Sequence, residues 1–325
     1  MKKKKNIFIE FLLYLPAWAV LEFTRLMPRR FGYALWKIIA LMLWPLTKSR
    51  RRIMTENLKP VFAGKTDDEY EKTGMEVYLN LGRVYAEFCK IGKLTGKNVG
   101  EYATFEGLEH LDTALAKGKG VIIPTMHYYN AELLNGALAA LGYPVYWVIR
   151  EVDNTFLDRK MDSIRAGSGM KVIKKERALR EMLAKLREGK IVSVTVDQKA
   201  SFNAVWVRFL GRWSATVKSP AVISLRTGAA IVPMFSIPQP DNTHKAYFLP
   251  AISYQPTGVT NEDVFNISRI VADLQSEFIK KHPGVWFWLH RKWSISPTEK
   301  IIEECEAMEK RSIENGVNAD LSSVI

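Results

Sequence analysis

The chain has 325 residues and a mass of 37.1 kDa, with 47% hydrophobic, 25% charged and 11% aromatic side chains, and 20 Gly with 14 Pro. This composition excludes a disordered, collagen-like or low-complexity protein and leaves ample apolar material for a core. The net charge of +13 is lopsided: residues 1–60 hold thirteen Lys or Arg against three acids, and the other 265 hold 34 against 31. An anionic membrane at one end of the chain explains that distribution better than nucleic acid does.

Lys2–Lys5 precede an apolar stretch, Ile7–Phe23, and a second runs from Phe31 to Leu46. Arg25, Arg29 and Arg30 flank them on one side, and Lys48, Arg50, Arg51 and Arg52 on the other. Both stretches fall short of the ~20 residues of a spanning helix. Glu10, Pro16 and Glu22 interrupt the first, Lys37 and Pro45 the second, and a charge at mid-bilayer costs at least ~2.5 kcal/mol. Phe23-Thr24-Arg25 stands where a secretory signal would carry a small-x-small cleavage site. A short tilted span, two helices lying in the interface, or core helices all fit. An interfacial anchor on the cytoplasmic leaflet is favoured, with Trp18, Trp36 and Trp44 at headgroup depth; core packing is the plainer role for Trp at helical spacing.

Thr66-Asp67-Asp68-Glu69 is a capping box that opens an amphipathic helix to about Lys90. From Gly107 the pattern alternates: a helix over Leu108–Ala116, a strand at Val121–Ile123, a helix over Ala131–Leu141, a strand at Val145–Ile149 and a charged connection. A helix from Glu176 to Arg187, strands at Ile191–Val196 and Val205–Leu210, and a helix opening at Ser219-Pro220 follow. Strands at Ile231–Ile237 and Ala246–Tyr254 lead to a long helix, Thr260–Lys281. Short apolar strands between helices predict an α/β fold, a largely parallel sheet flanked by helices, behind an N-terminal helical membrane anchor. The expected division is an anchoring segment at 1–60, an α/β domain at 61–296 and a solvated C-terminal helix and tail at 297–325. Cys89 and Cys305, far apart in the chain, form no disulfide framework or metal pattern, as in a cytosol-facing protein.

Among the five histidines, His127 alone stands at the mouth of a predicted parallel strand, the carboxyl edge where open α/β sheets place their sites. Glu132 follows five residues later. Within one helix the pair would diverge by ~140°, so they meet if His127 lies in the turn and Glu132 in the first helical turn. A carboxylate fixes the imidazole tautomer and leaves the other nitrogen to act on a hydroxyl. No nucleophile-elbow motif accompanies them, which suits direct attack by an acceptor hydroxyl. A structural His–Glu pair is the bland alternative. Arg150, at a strand end, and Asp158, Arg159, Arg165 and Gly167, in the loop behind it, suit phosphate binding or a surface ion-pair network. Asp197-Gln198 ends another strand, where polar groups orient ligands or loops. The helix N-terminus at Ser219 offers backbone N–H groups to an oxyanion. Trp286–Trp293 reads as core with a snorkelling rim before it reads as a substrate surface.

Taken in order, these residues resemble the bacterial lipid A late acyltransferases, the lauroyl/myristoyl transferase family of the lysophospholipid acyltransferase superfamily. The resemblance is carried by R-R-I-M-T-E-N-L at Arg51–Leu58, H-x4-E at His127–Glu132, Arg150, and Arg165-x-Gly167. It continues through L-R-E-G-K before Asp197-Gln198, V-R-F-L-G, R-T-G-A at Arg226–Ala229, and the terminal W-F-W-L-H-R-K-W. It implies an enzyme on the cytoplasmic face of the bacterial inner membrane, bound to anionic lipid. Such an enzyme moves an acyl group from acyl carrier protein, or less often coenzyme A, to a hydroxyl of a lipid A precursor. On that resemblance His127 is the general base and Glu132 its orienting partner; Arg150, Arg165, Asp197, Gln198 and Arg226 map to substrate-binding positions, and no metal or cofactor is implied. Ser219 stands where the family commonly has Gly, which crowds an oxyanion at that helix start.

Overall fold

Asn6 caps α1 (Ile7–Leu26) through bonds from the Phe8 and Ile9 amides, and Pro28 opens α2 (Arg29–Leu46), so the two apolar stretches form consecutive helices, α1 packed on the later helix 155–166 and α2 on the helix 67–88. This computed structural model describes residues 6–175, 178–200 and 204–323; Lys2–Lys5 and the expected helix start at Glu176 lie outside them. Lys90 and Lys93 donate to the Arg25 carbonyl at 3.0 and 2.8 Å and so tie down the carboxyl end of α1. The short helix α3 (Lys48–Leu58) leads to α4 (Asp67–Phe88), which starts at the expected capping box. α2 lies along α4 at very close range: a Cβ at Gly82 would stand 2.7 Å from the Trp36 carbonyl oxygen. Trp36 stacks on Tyr85 and Trp44 is buried against Tyr78. Those two rings are therefore packing groups; Trp18 is exposed.

The body continues through β1 (Ala103–Glu106), α5 (Leu108–Ala116), β2 (Val121–Thr125), α6 (Ala131–Ala140), β3 (Val145–Ile149), α7 (Thr155–Ala166) and β4 (Lys171–Lys174). Then come α8 (Ala178–Arg187), β5 (Ile191–Thr195), β6 (Ala204–Phe209), β7 (Arg212–Val217), α9 (Ser219–Thr227) and β8 (Ala230–Ile231). β9 (Met234–Pro238), β10 (His244–Phe248), α10 (Thr260–Lys281) and α11 (Glu299–Glu314) complete it. The central sheet is wholly parallel, in the order β4-β3-β5-β2-β8. Its inner strands β2 and β5 are almost entirely buried, which explains their unbroken apolar runs.

Several expectations change. The predicted run Ile231–Ile237 splits between two sheets, because Pro233 has no N–H with which to extend the ladder. β9 instead pairs with β10, which stops at Phe248 and pairs in parallel with β1. Val205–Leu210 is not a strand of the parallel sheet: β6 and β7 form an antiparallel hairpin, with Leu210 and Gly211 at φ of 51° and 79° in its two-residue turn. The charged connection after β3 contains α7, whose Asn154 caps the Leu157 amide. β1 and β4 are short, part-polar edge strands that apolar patterning does not reveal. The tail is not simply solvated, since α11 docks through ion pairs from Arg208 to Glu306 and Glu309 at 3.0 and 3.2 Å.

Candidate active site

The register of the parallel sheet builds the site. Thr125 on β2 faces Thr195 on β5. Two residues beyond each, at the carboxyl edge, stand His127 and Asp197. Asp197 is buried, at 1% side-chain exposure, whereas the imidazole is 43% exposed. His127 Nδ1 meets Asp197 Oδ1 at 2.9 Å, and the His127 backbone N–H donates to Oδ2 at 2.8 Å. The Trp286 indole N–H also donates to Oδ2, at 2.8 Å. A carboxylate can only accept, so Nδ1 carries the proton and Nε2 presents its lone pair. The Gln198 amide nitrogen lies 3.1 Å from that Nε2.

Burial opposes charge on the His127 ring, but Asp197 outweighs it and Glu132 adds its charge, so the imidazole holds a proton above its ordinary range. Burial alone would push the Asp197 carboxyl up. The His127 ring and the two N–H donors override that and keep it below the usual carboxylate range. His290 is held neutral by burial, its pKa pushed down to about 4.

The turn that carries His127 is braced from three sides. Tyr128 bridges Trp286, the Tyr129 amide donates to the Val285 carbonyl at 2.9 Å, and the Phe287 amide to the His127 carbonyl at 2.9 Å. Asn57, from the R-R-I-M-T-E-N-L segment, holds the Trp288 and His290 carbonyls at 2.8 and 2.9 Å. Tyr129 takes a left-handed φ of 51°, and Asn130 then caps α6 through the Leu133 amide. The Asn130 amide also donates to the buried Glu87, which further accepts from Tyr33 of α2, Arg83 and His244 at 2.7–3.1 Å. One carboxylate thus joins α2, α4, β10 and the His127 turn. None of these braces was read from sequence, because their partners are 43 or more residues apart or carry no motif of their own.

His127 does lie in the turn and Glu132 in the first turn of α6, yet the expected direct His127–Glu132 contact is not what the structure contains. Glu132 pairs with Arg165, which also meets Asp162 at 2.9 Å and lies over the Phe88 ring. The orienting carboxylate is Asp197. The sequence signal for it was the equal offset of His127 and Asp197 beyond two apolar parallel strands. Arg165 is buried in α7, rather than held in a loop. Gly167 lets the end of that helix approach Gly92 so closely that a Cβ would stand 2.6 Å from its carbonyl oxygen. Arg150 is exposed at the same sheet edge, two strands from β2, or about 10 Å at ~4.8 Å per strand. Arg226 ends α9 just before β8 begins, at the opposite, amino edge, and is not brought to His127. The α9 start at Ser219 has no side-chain cap, and its preceding residue is Lys218. Among the described residues, the groups bonded to His127 come from Asp197, Gln198 and Phe287.

An imidazole at the carboxyl edge and the carboxylate bonded to it, in this chain order, invite comparison with known proteins. The sequence profile of the bacterial lipid A biosynthesis acyltransferases matches residues 2–294. The chain belongs to that family. It is therefore an acyltransferase, and the family acts on lipid acceptors. A lipid A biosynthesis palmitoleoyltransferase of Escherichia coli (strain K12) is 25% identical over 264 residues, covering 80% of this chain and 83% of the relative. A lipid A biosynthesis acyltransferase of Haemophilus influenzae is 21% identical over 290 residues, or 83% and 91% of the two chains. A phosphatidylinositol mannoside acyltransferase of Mycobacterium tuberculosis (strain ATCC 25618 / H37Rv) is 26% identical over 200 residues, 59% and 60%.

Proposed function

We propose that the enzyme transfers a fatty acyl group from an acyl carrier protein thioester, or acyl coenzyme A, to a hydroxyl of a lipid A precursor, at the cytoplasmic face of a bacterial inner membrane. The observation that carries this reading is the His127–Asp197 pair, with Nδ1 held and Nε2 turned outward. The acceptor hydroxyl takes the place of the Gln198 amide at Nε2. As its oxygen attacks the thioester carbonyl, Nε2 takes its proton and Asp197 stabilises the imidazolium. The tetrahedral intermediate collapses, the C–S bond breaks, and the imidazolium returns the proton to the thiolate. The products are an ester and a free thiol. The thiolate leaves readily, so no covalent acyl-enzyme is needed. Arg150, exposed at the same edge, suits an acceptor phosphate, while Glu132 and Arg165 lock α6 to α7 behind the base.

Membrane attachment fits α1 and α2. α1 is long and apolar enough to cross a bilayer by length and composition. However, its two acids turn toward the body: Glu22 pairs with Lys160, and the Glu10 carboxylate accepts the Thr155 amide at 3.3 Å. Phe8, Leu12, Leu13 and Phe23 of α1 and Phe31, Ile38 and Met42 of α2 remain exposed beside the basic flanks. Apolar faces on two docked, charge-flanked helices suit insertion into one leaflet. The similarity to phosphatidylinositol mannoside acyltransferases supports a second reading, in which the acceptor is another glycolipid and the chemistry is unchanged. Incubating the purified enzyme with acyl carrier protein and coenzyme A thioesters and each class of acceptor, then weighing the products, separates the two. An untouched lipid A precursor beside an acylated glycolipid rejects the first.

A further inference from the structure

Lys292 presents a problem of electrostatics. Its side chain is wholly buried, and among the described residues its ammonium has no hydrogen-bond partner. A methionine or leucine would fill similar space without stripping water from a charge. The ammonium instead rests over the Phe209 ring, 4.4 Å from its centroid. Phe209 packs on Trp286 at 5.5 Å, and Trp286 donates its indole N–H to Asp197. The cation therefore sits behind the aromatic wall whose other side grips the carboxylate of the dyad.

The charges around that wall are few. Burial pulls the Lys292 pKa down to about 8, although the Asp197 carboxylate steadies the ammonium. His290 is neutral, and Lys199 is bonded to Ser294 at 2.8 Å. Arg212 lies over Trp293, and Arg291 is exposed. On the far side, Glu132 faces His127 with its charge shared by Arg165. Asp197 itself receives only neutral donors apart from the His127 ring.

We infer that Lys292 is a positioning residue for the proposed reaction: its sequestered ammonium counterbalances the Asp197 carboxylate and so eases the loss of the proton that His127 must give up to act as a base. Without that cation the carboxylate draws a proton onto the pair more strongly. The imidazole then stays charged to higher pH and cannot accept the proton of the acceptor hydroxyl. Lys292 never touches substrate; it acts through Asp197. A buried cation of this kind costs stability and persists because the reaction uses it.

The test compares full-length enzyme in detergent with Lys292→Met, Lys292→Gln and Lys292→Arg. Turnover is measured against pH, the unfolding temperature is recorded, and the His127 titration is followed by NMR. In the neutral variants the acidic limb and the His127 titration move up by about one pH unit, with a roughly tenfold loss at a given pH on the limb that returns about one unit higher. Lys292→Met unfolds no lower than the parent, and Lys292→Arg keeps the parent limb. A limb and titration that do not move in either neutral variant overturn the inference. So does a loss that no pH restores, or failure of both neutral variants to fold, since the ammonium would then serve the core. The inference rests on His127 as base, and the two fail separately. Undiminished turnover in His127→Ala removes the base, whereas an inactive His127→Ala with a limb indifferent to residue 292 removes only the lysine.

Discussion

Asp197 and Trp286, 89 residues apart, share a hydrogen bond of 2.8 Å in the interior: the indole N–H donates to the carboxylate oxygen that also accepts the His127 backbone N–H. The bond fixes the carboxylate in the plane from which it orients the imidazole. Trp286→Phe keeps most of the packing and removes the donor. Turnover should fall about tenfold, and stability by about 1.5–3 kcal/mol for the loss of a bond to a buried charge. Unfolding and steady-state rates check both, and parent-like turnover would show that the bond does not serve the dyad.

The dyad itself predicts a pH dependence. In the proposed reaction His127 works in its neutral form, and its proton is held above the ordinary histidine range, so activity should fall away on the acid side at a limb above pH ~6.5. Asp197→Asn removes the attracting charge. The limb then moves down while the plateau drops by ~10²–10⁴, because the tautomer and the imidazolium lose their support. His127→Ala should fold, its ring being 43% exposed, and lose at least ~10² in turnover. Rate–pH profiles of the three proteins decide it.

Glu132→Gln should act chiefly through Arg165. That guanidinium is buried and would retain Asp162, so the expected cost is about 1–3 kcal/mol of stability. The His127 limb should also shift slightly downward as one nearby negative charge is lost. Denaturant unfolding beside a rate–pH profile reads both, and an unchanged stability would contradict the lock between α6 and α7.

Glu87 carries the acid stability of the braces. Burial opposes its ionisation, but His244, Arg83 and Asn130 override that and hold its pKa near about 2. A depressed carboxyl stabilises the fold above its unfolded value of ~4.3, and the contribution is lost as pH falls toward ~2. About 3 kcal/mol is at stake. Glu87→Gln should lose that much at pH 7, and its stability should then change less than the parent's between pH ~4.5 and ~2. Urea titrations across that window measure the difference.

The exposed face of α1 can be tested without disturbing the body. Leu13 is 67% and Phe23 62% exposed. Leu13→Glu with Phe23→Glu should leave the unfolding temperature within a few degrees while sharply weakening binding to anionic vesicles. Retained pelleting at high salt would assign membrane contact to another surface.

His127 at a strand mouth, Glu132 in the next helical turn and the buried parallel strands were legible because periodicity and turn chemistry are local properties. The two apolar helices and their basic flanks were legible for the same reason. Which acid the imidazole uses was not. Sequence proximity favours Glu132, five residues away, but the helix carries its carboxylate to Arg165. Asp197, 70 residues away, arrives by the pairing of β2 with β5. Likewise nothing local says that Arg226 ends at the amino edge, that Trp44 packs inside and Trp36 stacks on Tyr85, or that Lys292 keeps a bare ammonium in the core. Side chains along one segment declare their own geometry. Their partners are chosen when strands fall into register and helices close over them, and that choice belongs to the folded molecule.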